Sequence, residues 1–514
     1  MRAIFVLFDT LNRHFLEPYG ADLMQTPNFR RLAERSVRFD AHYVGSLPCM
    51  PARRDLQTGR LNFMHRSWGP LEPFDVAMTE VMKKQGIYSH LITDHYHYLE
   101  VGGAGYQNAF TSFEFLRGQE GDVWKAHVAP DLDRYRQTYH PDQFTDKPGT
   151  LPLHNMINRD YMQDEADFSS VQCFDLGCAF LDTNKDADNW FLQIETFDPH
   201  EPFHAPERWR DRFPTTYDGP IRDWPPYAPV TQGDAEAAEL RASYMALLAH
   251  CDAQMGRLLD KMDALNLWED TMLVVSTDHG YLTGEHDWWA KNRMPAYQEI
   301  AHIPLFIHHP DHPDEAGGSR DALSQTPDLM PTFLEAFGCD IPDAVRGKSL
   351  LPVLRDATVQ NHDSVIFGYF GGAINVTDGR HTYFRYPENL LDQTLYQYTL
   401  LPCHMREYFV REEMKQAELI SGLDYAAGYP VLRVPVIAQS PWYNSHGPAA
   451  MVASESLLFD ISADPRQETP LGDAALDGAM AQKLVREMRR HNAPPEAFVR
   501  LALDPDAEAT SWQN

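Results

Sequence analysis

Cys49 and Arg53 are the two side chains whose types and spacing point most directly to chemistry in this chain. Residues four apart lie on the same face of a helix, so the guanidinium would sit beside the sulfur or beside whatever replaces it. Thr58 and Gly59 follow as typical helix-ending residues, so a short helix beginning near Cys49 is predicted. Free backbone N–H groups would then favour an anion at residue 49. Taken alone, a cysteine near an arginine is more often a buried structural residue.

The string from Cys49 to Arg60, CMPARRDLQTGR, resembles the sulfatase signature C-x-P-S-R-x-x-L-x-T-G. Ala52 is the one departure, because it stands where that family usually has serine. The resemblance implies that Cys49 is oxidised after translation to formylglycine by a formylglycine-generating enzyme. It also implies that the hydrated aldehyde supplies the nucleophilic oxygen and that Arg53 is a catalytic residue beside it.

A second group of polar residues, Asp278 and His279, comes directly after an apolar stretch that reads as a strand. A carboxylate beside an imidazole suits a divalent cation with oxygen and nitrogen ligands, although an acidic residue after a strand is often only a helix cap. The sulfatase resemblance favours the ligand interpretation. It implies one divalent ion held by Asp9, Cys49, Asp278 and His279.

Two positions of that site depart from the usual sulfatase pattern. Thr10 stands where many sulfatases have a second aspartate, and His279 replaces the asparagine found in many relatives. Both changes move the site away from an all-oxygen cage for calcium. They bring it closer to phosphonate monoester hydrolases, which use formylglycine with a transition metal such as manganese. The predicted ion is therefore Ca²⁺ or Mn²⁺.

Two further residues have catalytic roles in the resemblance. Lys291 closes the segment GEHDWWAK, which resembles the G-E/D-H-x-x-W-x-K segment whose lysine contacts the sulfate and the ester oxygen. His200 lies in DPHEPF, which is similar to the P-H-x-P-F loop whose imidazole binds and protonates the leaving oxygen. Without the resemblance, these residues would read as a solvated lysine and a loop histidine.

The stretch LITDHYHY, residues 91–98, lacks the Gly-Lys-x-His run that many sulfatases carry after the corresponding strand. Thr93 and Asp94 resemble instead the Thr-Asp of phosphonate hydrolases. We therefore predict that Thr93 and His95 contact the substrate, with His95 or His97 supplying the missing charge. A plain packed loop of histidines and tyrosines is the alternative.

The chain has 514 residues, of which 43% are hydrophobic and 23% charged, an ordinary balance for a large globular protein. Its net charge of −30 argues against nucleic acid or an anionic membrane surface as partner, so an anionic ester needs a local positive pocket. The apolar amino terminus reads as a buried strand, and no apolar run is long enough for a transmembrane helix. Scattered cysteines indicate reduced thiols in a cytoplasm, and the composition leaves a homo-oligomer open.

Apolar strands alternate with helical stretches along most of the chain, which predicts an α/β fold with a large, mainly parallel sheet sandwiched by helices. The resemblance identifies this fold as alkaline phosphatase-like. Strands are predicted at 4–8, 88–93, 190–196, 272–277 and 303–308, and helices at 26–36, 78–85, 166–182, 235–265 and 325–337. Asp9, Thr93, His200 and Asp278 all follow predicted strands, so these distant motifs should converge on one edge of the sheet.

The pattern changes near residue 360, where short β-like runs at 365–370, 374–377 and 381–385 begin. Residues 1–360 are predicted to form the catalytic domain and 361–514 a smaller α+β domain, with a helix near 475–491. Its residues 458–465 resemble the carboxy-terminal L-[YF]-D-L…D-P motif of sulfatases. Residues 118–160 are predicted to be a long insertion that lines or covers the site. Trp68, Trp288 and Trp289 offer aromatic surfaces for a sugar or an aryl ring.

Together these features predict a metal-dependent sulfatase that hydrolyses sulfate monoesters of carbohydrates or aryl alcohols. Thr10, His279 and Thr93 keep a phosphonate monoester or phosphodiester hydrolase open as the alternative. A noncatalytic metal-binding or glycan-binding relative is less favoured, because such a module has no need of an activated aldehyde.

Overall fold

The computed structural model describes residues 1–506 and contains 20 β-strands in that range. They are β1 (Arg2–Phe8), β2 (Val37–Phe39), β3 (His42–Tyr43), β4 (Ser46–Leu47), β5 (Tyr88–Thr93), β6 (Ser112–Phe115), β7 (Trp190–Thr196), β8 (Thr271–Thr277), β9 (Leu282–Thr283), β10 (Trp289–Ala290), β11 (Leu305–His308), β12 (Ser319–Arg320), β13 (Ser324–Gln325), β14 (Val365–Tyr369), β15 (Ile374–Thr377), β16 (His381–Arg385), β17 (Tyr396–Thr399), β18 (Glu418–Ile420), β19 (Val431–Pro435) and β20 (Leu457–Asp460).

The same residues form 15 α-helices, joined by short 3-10 turns. They are α1 (Pro27–Arg35), α2 (Cys49–Thr58), α3 (Met78–Lys84), α4 (Leu132–Thr138), α5 (Leu151–Arg159), α6 (Ser169–Thr183), α7 (Glu207–Arg210), α8 (Asp234–Ala264), α9 (Gln298–Ala301), α10 (Leu329–Ala336), α11 (Leu351–Arg355), α12 (Arg411–Met414), α13 (Pro441–Ser445), α14 (Ala474–Arg490) and α15 (Pro495–Arg500). Within residues 1–506, none of them has both the length and the apolar character required to span a bilayer.

The central sheet has eight strands in the order β12-β2-β11-β8-β1-β7-β5-β6. The five strands from β8 to β6 run parallel to one another, whereas β11 runs antiparallel to both of its neighbours. The predicted large, mainly parallel sheet is therefore confirmed.

The register of the central strands brings their carboxyl ends together. Phe8, the last residue of β1, pairs with Thr196 of β7 and with Thr277 of β8. The chain therefore leaves the sheet at neighbouring points as it enters Asp9 and Asp278. Strand ends far apart in the sequence meet at one edge, as the alternation of strands and helices predicted.

The two faces of the sheet are covered by different helices. Because strand side chains alternate between faces, Ile4, Val6 and Phe8 of β1 point to one side and its remaining apolar residues to the other. The first set packs in a cluster with residues of α1, α6 and α8. The second set packs with residues of α3 and α10. This helix–sheet–helix sandwich holds the carboxyl edge of β1 rigidly between two cores.

Most predicted elements are present, and the differences have local causes. The strand expected from residue 303 begins at Leu305, after Pro304, which has no N–H to donate to a neighbouring strand. The helix expected from residue 325 opens with a 3-10 turn, Thr326–Asp328, before α10 begins. The segment 118–160, predicted as a long insertion, contains helices α4 and α5.

A second sheet has the order β20-β16-β15-β14-β4 and is covered by α14. Four of its strands come from the carboxy-terminal part of the chain, but β4 ends two residues before Cys49 and pairs in parallel with β14. The carboxy-terminal sheet is thereby fastened to the segment that leads into α2. The division into residues 1–360 and 361–514 stays a prediction.

Candidate active site

The carboxyl edge of the central sheet carries a buried group of four side chains that could hold a metal ion, Asp9, Cys49, Asp278 and His279. One ligand atom from each lies within 4.8 Å of the others. Cys49 Sγ is 3.3 Å from His279 Nε2 and 3.9 Å from Asp9 Oδ1. The structure thus brings together the four residues predicted as metal ligands.

Cys49 is the first residue of α2, so the predicted helix begins at the cysteine itself. The helix is terminated by Gly59, which directly follows it and whose φ of 62° is the left-handed conformation that glycine adopts at a helix end. Asp55 ties the helix to the preceding strand by accepting hydrogen bonds from Ser46 N at 2.6 Å and Ser46 Oγ at 2.9 Å. Residue 49 therefore has a fixed position at a helix N-terminus, where an anionic group is favoured.

Arg53 lies one helical turn beyond Cys49, and its guanidinium contacts three buried carboxylates. The nitrogens are 2.6 Å from Glu195, 2.6 Å from Asp278 and 3.1 Å from Asp9. Burial would lower the pKa of Arg53, but the three carboxylates outweigh it and hold that pKa well above its usual value. Sequence reasoning missed Glu195, whose one signal is an acidic side chain near the end of the apolar strand β7.

The two carboxylates of the four-residue group carry opposite pKa shifts. Burial raises the pKa of Asp278, and the charge of Asp9 adds to the rise. Burial also acts upward on Asp9, but its electrostatic interactions with His200, Arg53 and Lys291 hold the pKa of Asp9 well below its usual value. Two buried carboxylates this close compete for positive charge, and a divalent cation between them would let both ionise.

His279 has its tautomer set by the backbone. Its Nδ1 lies 3.0 Å from Gly280 O and donates to it, so the lone pair is on Nε2, the nitrogen nearest Cys49. Burial lowers the pKa of His279 to about 3, so the ring is neutral. A neutral imidazole with a free Nε2 is the form that binds metals.

Thr10 sits in a strained conformation between the metal group and Lys291. Its φ is 64°, in the left-handed region that a β-branched residue rarely adopts. In this conformation Thr10 N donates to Asp278 Oδ1 at 3.2 Å, and the hydroxyl donates to Asp9 Oδ1 at 2.7 Å. From the sequence, Thr10 indicated only that a carboxylate is missing at this position. In the structure it makes three hydrogen bonds at the site, with Asp278, Asp9 and Lys291.

Lys291 is only 1% exposed, and its Nζ lies 2.9 Å from Thr10 Oγ1 and 3.7 Å from Glu201 Oε2. Burial would lower the pKa of Lys291, but nearby negative groups, Glu201 first, hold it above its usual value. Ala290 and Asn292 on either side have φ values of 74° and 71°, so the backbone is strained where it presents the lysine. Sequence reasoning did not assign a role to Glu201.

His200 is held by the residue that follows it. Its Nδ1 donates to Glu201 O at 2.5 Å, which leaves Nε2 as the nitrogen free for another partner. Its ring packs against Phe197, with centroids 4.2 Å apart. Burial and the charge of Lys291 hold the pKa of His200 well below its usual value.

The two predicted substrate-binding residues have different surroundings. His95 Nε2 lies 3.5 Å from Asp9 Oδ2, and within residues 1–506 neither of its buried ring nitrogens has a hydrogen-bond partner. The hydroxyl of Thr93 accepts a hydrogen bond from His95 N at 2.9 Å and so shapes the loop that carries the histidine. His97 is bonded to Glu100, with 2.6 Å between Nδ1 and Oε2. A substrate contact for Thr93 stays a prediction.

Of the three tryptophans predicted as aromatic surfaces, one is excluded. Trp289 is fully buried in the core, and its Nε1 donates to Gln232 at 2.7 Å, so it offers no face to a ligand. Trp288 is half-buried against a neighbouring apolar cluster. Trp68 lines a cavity beside residues 48 and 292.

The chain belongs to the sulfatase family, whose model matches residues 2–339, more than half of its length. A second model, the C-terminal region of N-sulphoglucosamine sulphohydrolase, matches residues 284–416. The family assignment makes the protein a sulfuric ester hydrolase by class, and its fold is the alkaline phosphatase-like α/β sandwich predicted from the sequence.

Two relatives and one solved structure are examples of the proteins to which this chain is similar. The chain is 24% identical over 391 residues to a multifunctional alkaline phosphatase superfamily protein of Trinickia caryophylli, covering 67% of this chain and 74% of the relative. It is 23% identical over 406 residues to an N-acetylglucosamine-6-O-sulfatase of Bacteroides thetaiotaomicron, covering 69% of this chain and 70% of the relative. The crystal structure of the phosphonate monoester hydrolase of Agrobacterium radiobacter superposes with a TM-score of 0.64 at 18% identity, covering 95% of this chain and 96% of that structure.

Proposed function

We propose that this protein hydrolyses sulfate monoesters, using residue 49 as formylglycine and one divalent ion. The observation that carries the proposal is the buried group in which Cys49, at the start of α2, lies within 4.8 Å of the ligand atoms of Asp9, Asp278 and His279. Sulfatases generally use a divalent ion together with a formylglycine made from a cysteine, and the residues present fit both.

Asp9, Asp278, His279 and residue 49 would hold the ion, which when bound supplies Lewis-acid stabilisation of the ester oxygens. The fit rests on two carboxylates that cannot easily ionise together without a cation and on a neutral imidazole with a free Nε2. Calcium prefers oxygen ligands, whereas manganese accepts imidazole as well as carboxylate. We therefore expect Mn²⁺ to be the better fit.

Formylglycine at residue 49 would supply, as its hydrate, a nucleophilic oxygen and a second hydroxyl through which the aldehyde is restored. This requires maturation by a formylglycine-generating enzyme, the one macromolecular partner that the proposal implies. A cytoplasmic setting stays a prediction that rests on the scattered cysteines.

The remaining residues would position and stabilise charge. Arg53 fixes three carboxylates around residue 49, so their geometry is set before substrate binds. Lys291 would balance negative charge on the non-bridging oxygens. His200, with Nδ1 committed to Glu201 O, would bind the leaving oxygen only through a protonated Nε2. The negative charge of a bound ester would raise the low pKa of His200, so that Nε2 takes up a proton from solvent and donates it to the oxygen as the ester bond breaks.

Peptide mass spectrometry after co-expression with a maturation enzyme tests the proposal. We expect formylglycine at residue 49, turnover that scales with its content, and no turnover in Cys49→Ala. Cys339→Ala, which removes a buried thiol of the α10 region, is the matched control and should stay active. Full activity from protein that carries only the unmodified thiol at residue 49 would contradict the proposal.

A phosphonate monoester or phosphodiester hydrolase is the second candidate, and Thr10 and His279 favour it. The ligand set has one carboxylate fewer than that of many sulfatases and one imidazole more. Steady-state kinetics on aryl sulfate, aryl phosphonate and phosphodiester substrates decides between the two. A phosphonate preference of about 10²-fold in kcat/KM, worth roughly 2.7 kcal/mol, would replace the sulfatase assignment.

A further inference from the structure

Glu201 is a buried carboxyl group beside Lys291, and it has no role in the hydrolysis proposed above. Its side chain is only 1% exposed, and it occupies the position between His200 and Pro202 that the P-H-x-P-F pattern leaves open. One oxygen, Oε1, accepts a hydrogen bond from the Tyr227 hydroxyl. The other oxygen, Oε2, is buried without a hydrogen-bond partner in residues 1–506. Buried carboxylate oxygens are normally paired, so Oε2 is exceptional.

Lys291 faces Oε2 at a distance that is too long for a hydrogen bond. Its Nζ lies 3.7 Å from Oε2, whereas Thr10 Oγ1 accepts from the same nitrogen at 2.9 Å. His200 Nδ1 lies 3.3 Å from Oε2, but this nitrogen already donates to Glu201 O. Glu201 therefore acts on Lys291 through its charge, and the effect of a charge is strong at this distance in a buried site.

Near pH 7, Glu201 sets the charge that faces Lys291. Within the described part of the chain, the ionisable groups around Glu201 are Lys291, Glu120, His200 and the phenols of Tyr227, Tyr244 and Tyr281. Burial raises the pKa of Glu201 to about 7, against the charge of Lys291 and the hydrogen bond from Tyr227. The pKa of His200 lies well below its usual value and the pKa values of the three phenols lie above theirs, so these groups are neutral at that pH.

A bound anion would change the balance between Glu201 and Lys291. In the proposed hydrolysis Lys291 balances negative charge on the ester oxygens, so the ester and Glu201 compete for one ammonium group. Two negative charges beside one buried lysine are unfavourable, because each like charge disfavours the other. Protonation of Glu201 removes one of the two charges and leaves Lys291 to the ester.

We propose that Glu201 is a positioning residue for Lys291, which takes up one proton from solvent when an anionic ester binds; this proposal rests on the proposed function. As a carboxylate Glu201 holds the ammonium group, and as a neutral acid it releases that group to the ester. The proton adds to Oε2, the oxygen without a partner, while Oε1 keeps its hydrogen bond from Tyr227. Binding of the ester and binding of the proton are thereby linked, and each strengthens the other.

The first test compares Glu201→Gln with the wild type, both mature and metal-loaded, by kcat/KM on 4-nitrophenyl sulfate over a series of pH values. The ratio of variant to wild type should be constant below about pH 6 and should rise by up to about tenfold per pH unit above about pH 7, mainly through KM. Taking the ratio cancels the pH dependence that His200 gives to both proteins. Glu413→Gln, which changes a buried glutamate bonded to His404 at 2.9 Å, is the matched control and should give a constant ratio.

The second test needs no turnover and measures calorimetric binding of benzenesulfonate, an anion that has no ester oxygen to lose. The ratio of the wild-type Kd to that of Glu201→Gln should follow the same pH dependence. Near pH 8 the wild type should take up about 0.5 proton or more in excess of the variant. Tyr227→Phe removes a hydrogen bond that favours the ionised form of Glu201, so it should move the pH dependence to higher pH. This second variant tests the inference even if Glu201→Gln does not fold.

The outcomes separate the role of Glu201 from the proposed function. If benzenesulfonate binds with this excess proton uptake but no ester is hydrolysed, the proposed function fails and the role of Glu201 stands. Ratios that do not change with pH, or a pH dependence that Tyr227→Phe leaves in place, would overturn the inference. Equal proton uptake by the wild type and Glu201→Gln would assign the proton to another group, such as His200, and would also overturn it. Absence of both binding and hydrolysis would overturn both proposals.

Discussion

Lys291 Nζ donates a hydrogen bond to Thr10 Oγ1 at 2.9 Å, although the two residues are 281 positions apart in the chain. The same hydroxyl donates to Asp9 Oδ1 at 2.7 Å. One threonine therefore connects the lysine to the first carboxylate of the metal group, at the position where many sulfatases have a second aspartate.

Replacing Thr10 by valine should separate these two groups at nearly constant volume. Lys291 and Asp9 would each lose a buried partner, a loss of about 1–3 kcal/mol per group. We expect kcat/KM to fall about tenfold or more and metal affinity to weaken. Thr10→Ser, which keeps the hydroxyl, should stay close to wild type. A loss in Thr10→Ser as large as that in Thr10→Val would show that the hydroxyl alone does not account for the effect, and would contradict this prediction.

Arg53→Lys should lower kcat/KM by about 10²-fold, as for loss of a preorganised charge-stabilising donor. A lysine ammonium cannot reach three carboxylates in the planar geometry that a guanidinium provides. Arg54→Lys is the control, because Arg54 is equally buried but binds Asp75 at 2.7 and 3.0 Å. It should lower the melting temperature while leaving kcat/KM near wild type. Matching kinetics in the two variants would argue against a role of Arg53 at the site.

Asp278→Asn should reduce metal affinity about tenfold or more, because it removes one of two anionic ligands. Elemental analysis and metal titration measure this directly. Asp328→Asn changes another buried aspartate, which is bonded to His362 at 2.9 Å, and should leave metal content unchanged. An unchanged metal content in Asp278→Asn would mean that Asp278 is not a ligand.

His279→Asn should weaken the binding of Mn²⁺ more than the binding of Ca²⁺, because it exchanges a nitrogen ligand for an oxygen ligand.

His200→Ala should damage the hydrolysis of esters with poor leaving groups more than that of activated aryl esters, because only the former need a proton on the departing oxygen. The measurement is kcat/KM across a series of leaving groups of increasing pKa. His204→Ala, in the same loop, should give a slope like that of the wild type. An equal loss across the series would assign His200 to substrate binding alone.

Burial raises the pKa of Glu201 from 4.5 to about 7, although Lys291 acts in the opposite direction. The folded protein thus favours the protonated acid, and this contribution to the free energy of unfolding is complete below pH 4.5 and is lost as the pH rises through about 7. Relative to Glu201→Gln, the wild type should lose about 1–3 kcal/mol over that interval.

Denaturant unfolding at a series of pH values checks the Glu201 prediction. Glu100→Gln is the control with the opposite sign, because His97 and Arg406 outweigh burial and lower the pKa of Glu100. That variant should lack the stability which the wild type gains as the pH rises through about 4.5. Parallel curves for the wild type and Glu201→Gln would show that Glu201 ionises normally.

The sequence by itself determined the features that depend on neighbours in the chain. Alternating apolar strands and helices specified the sandwich, because each element must bury its apolar face. Helix-ending residues after Cys49 specified α2 and put Arg53 one turn from residue 49. Asp9 and Asp278 could be placed at one edge, since the carboxyl ends of parallel strands meet there.

Only the tertiary structure decided which distant side chains share a contact and which are buried. Glu195 and Glu201 became partners of Arg53 and Lys291 through strand register and loop conformation, which local patterns do not encode. Trp289 and Trp68 look alike in the sequence, yet one lies in the core and the other lines a cavity. That cavity exists because β4 pairs with β14 and draws the carboxy-terminal residues against the start of α2, a pairing set by packing across the whole chain.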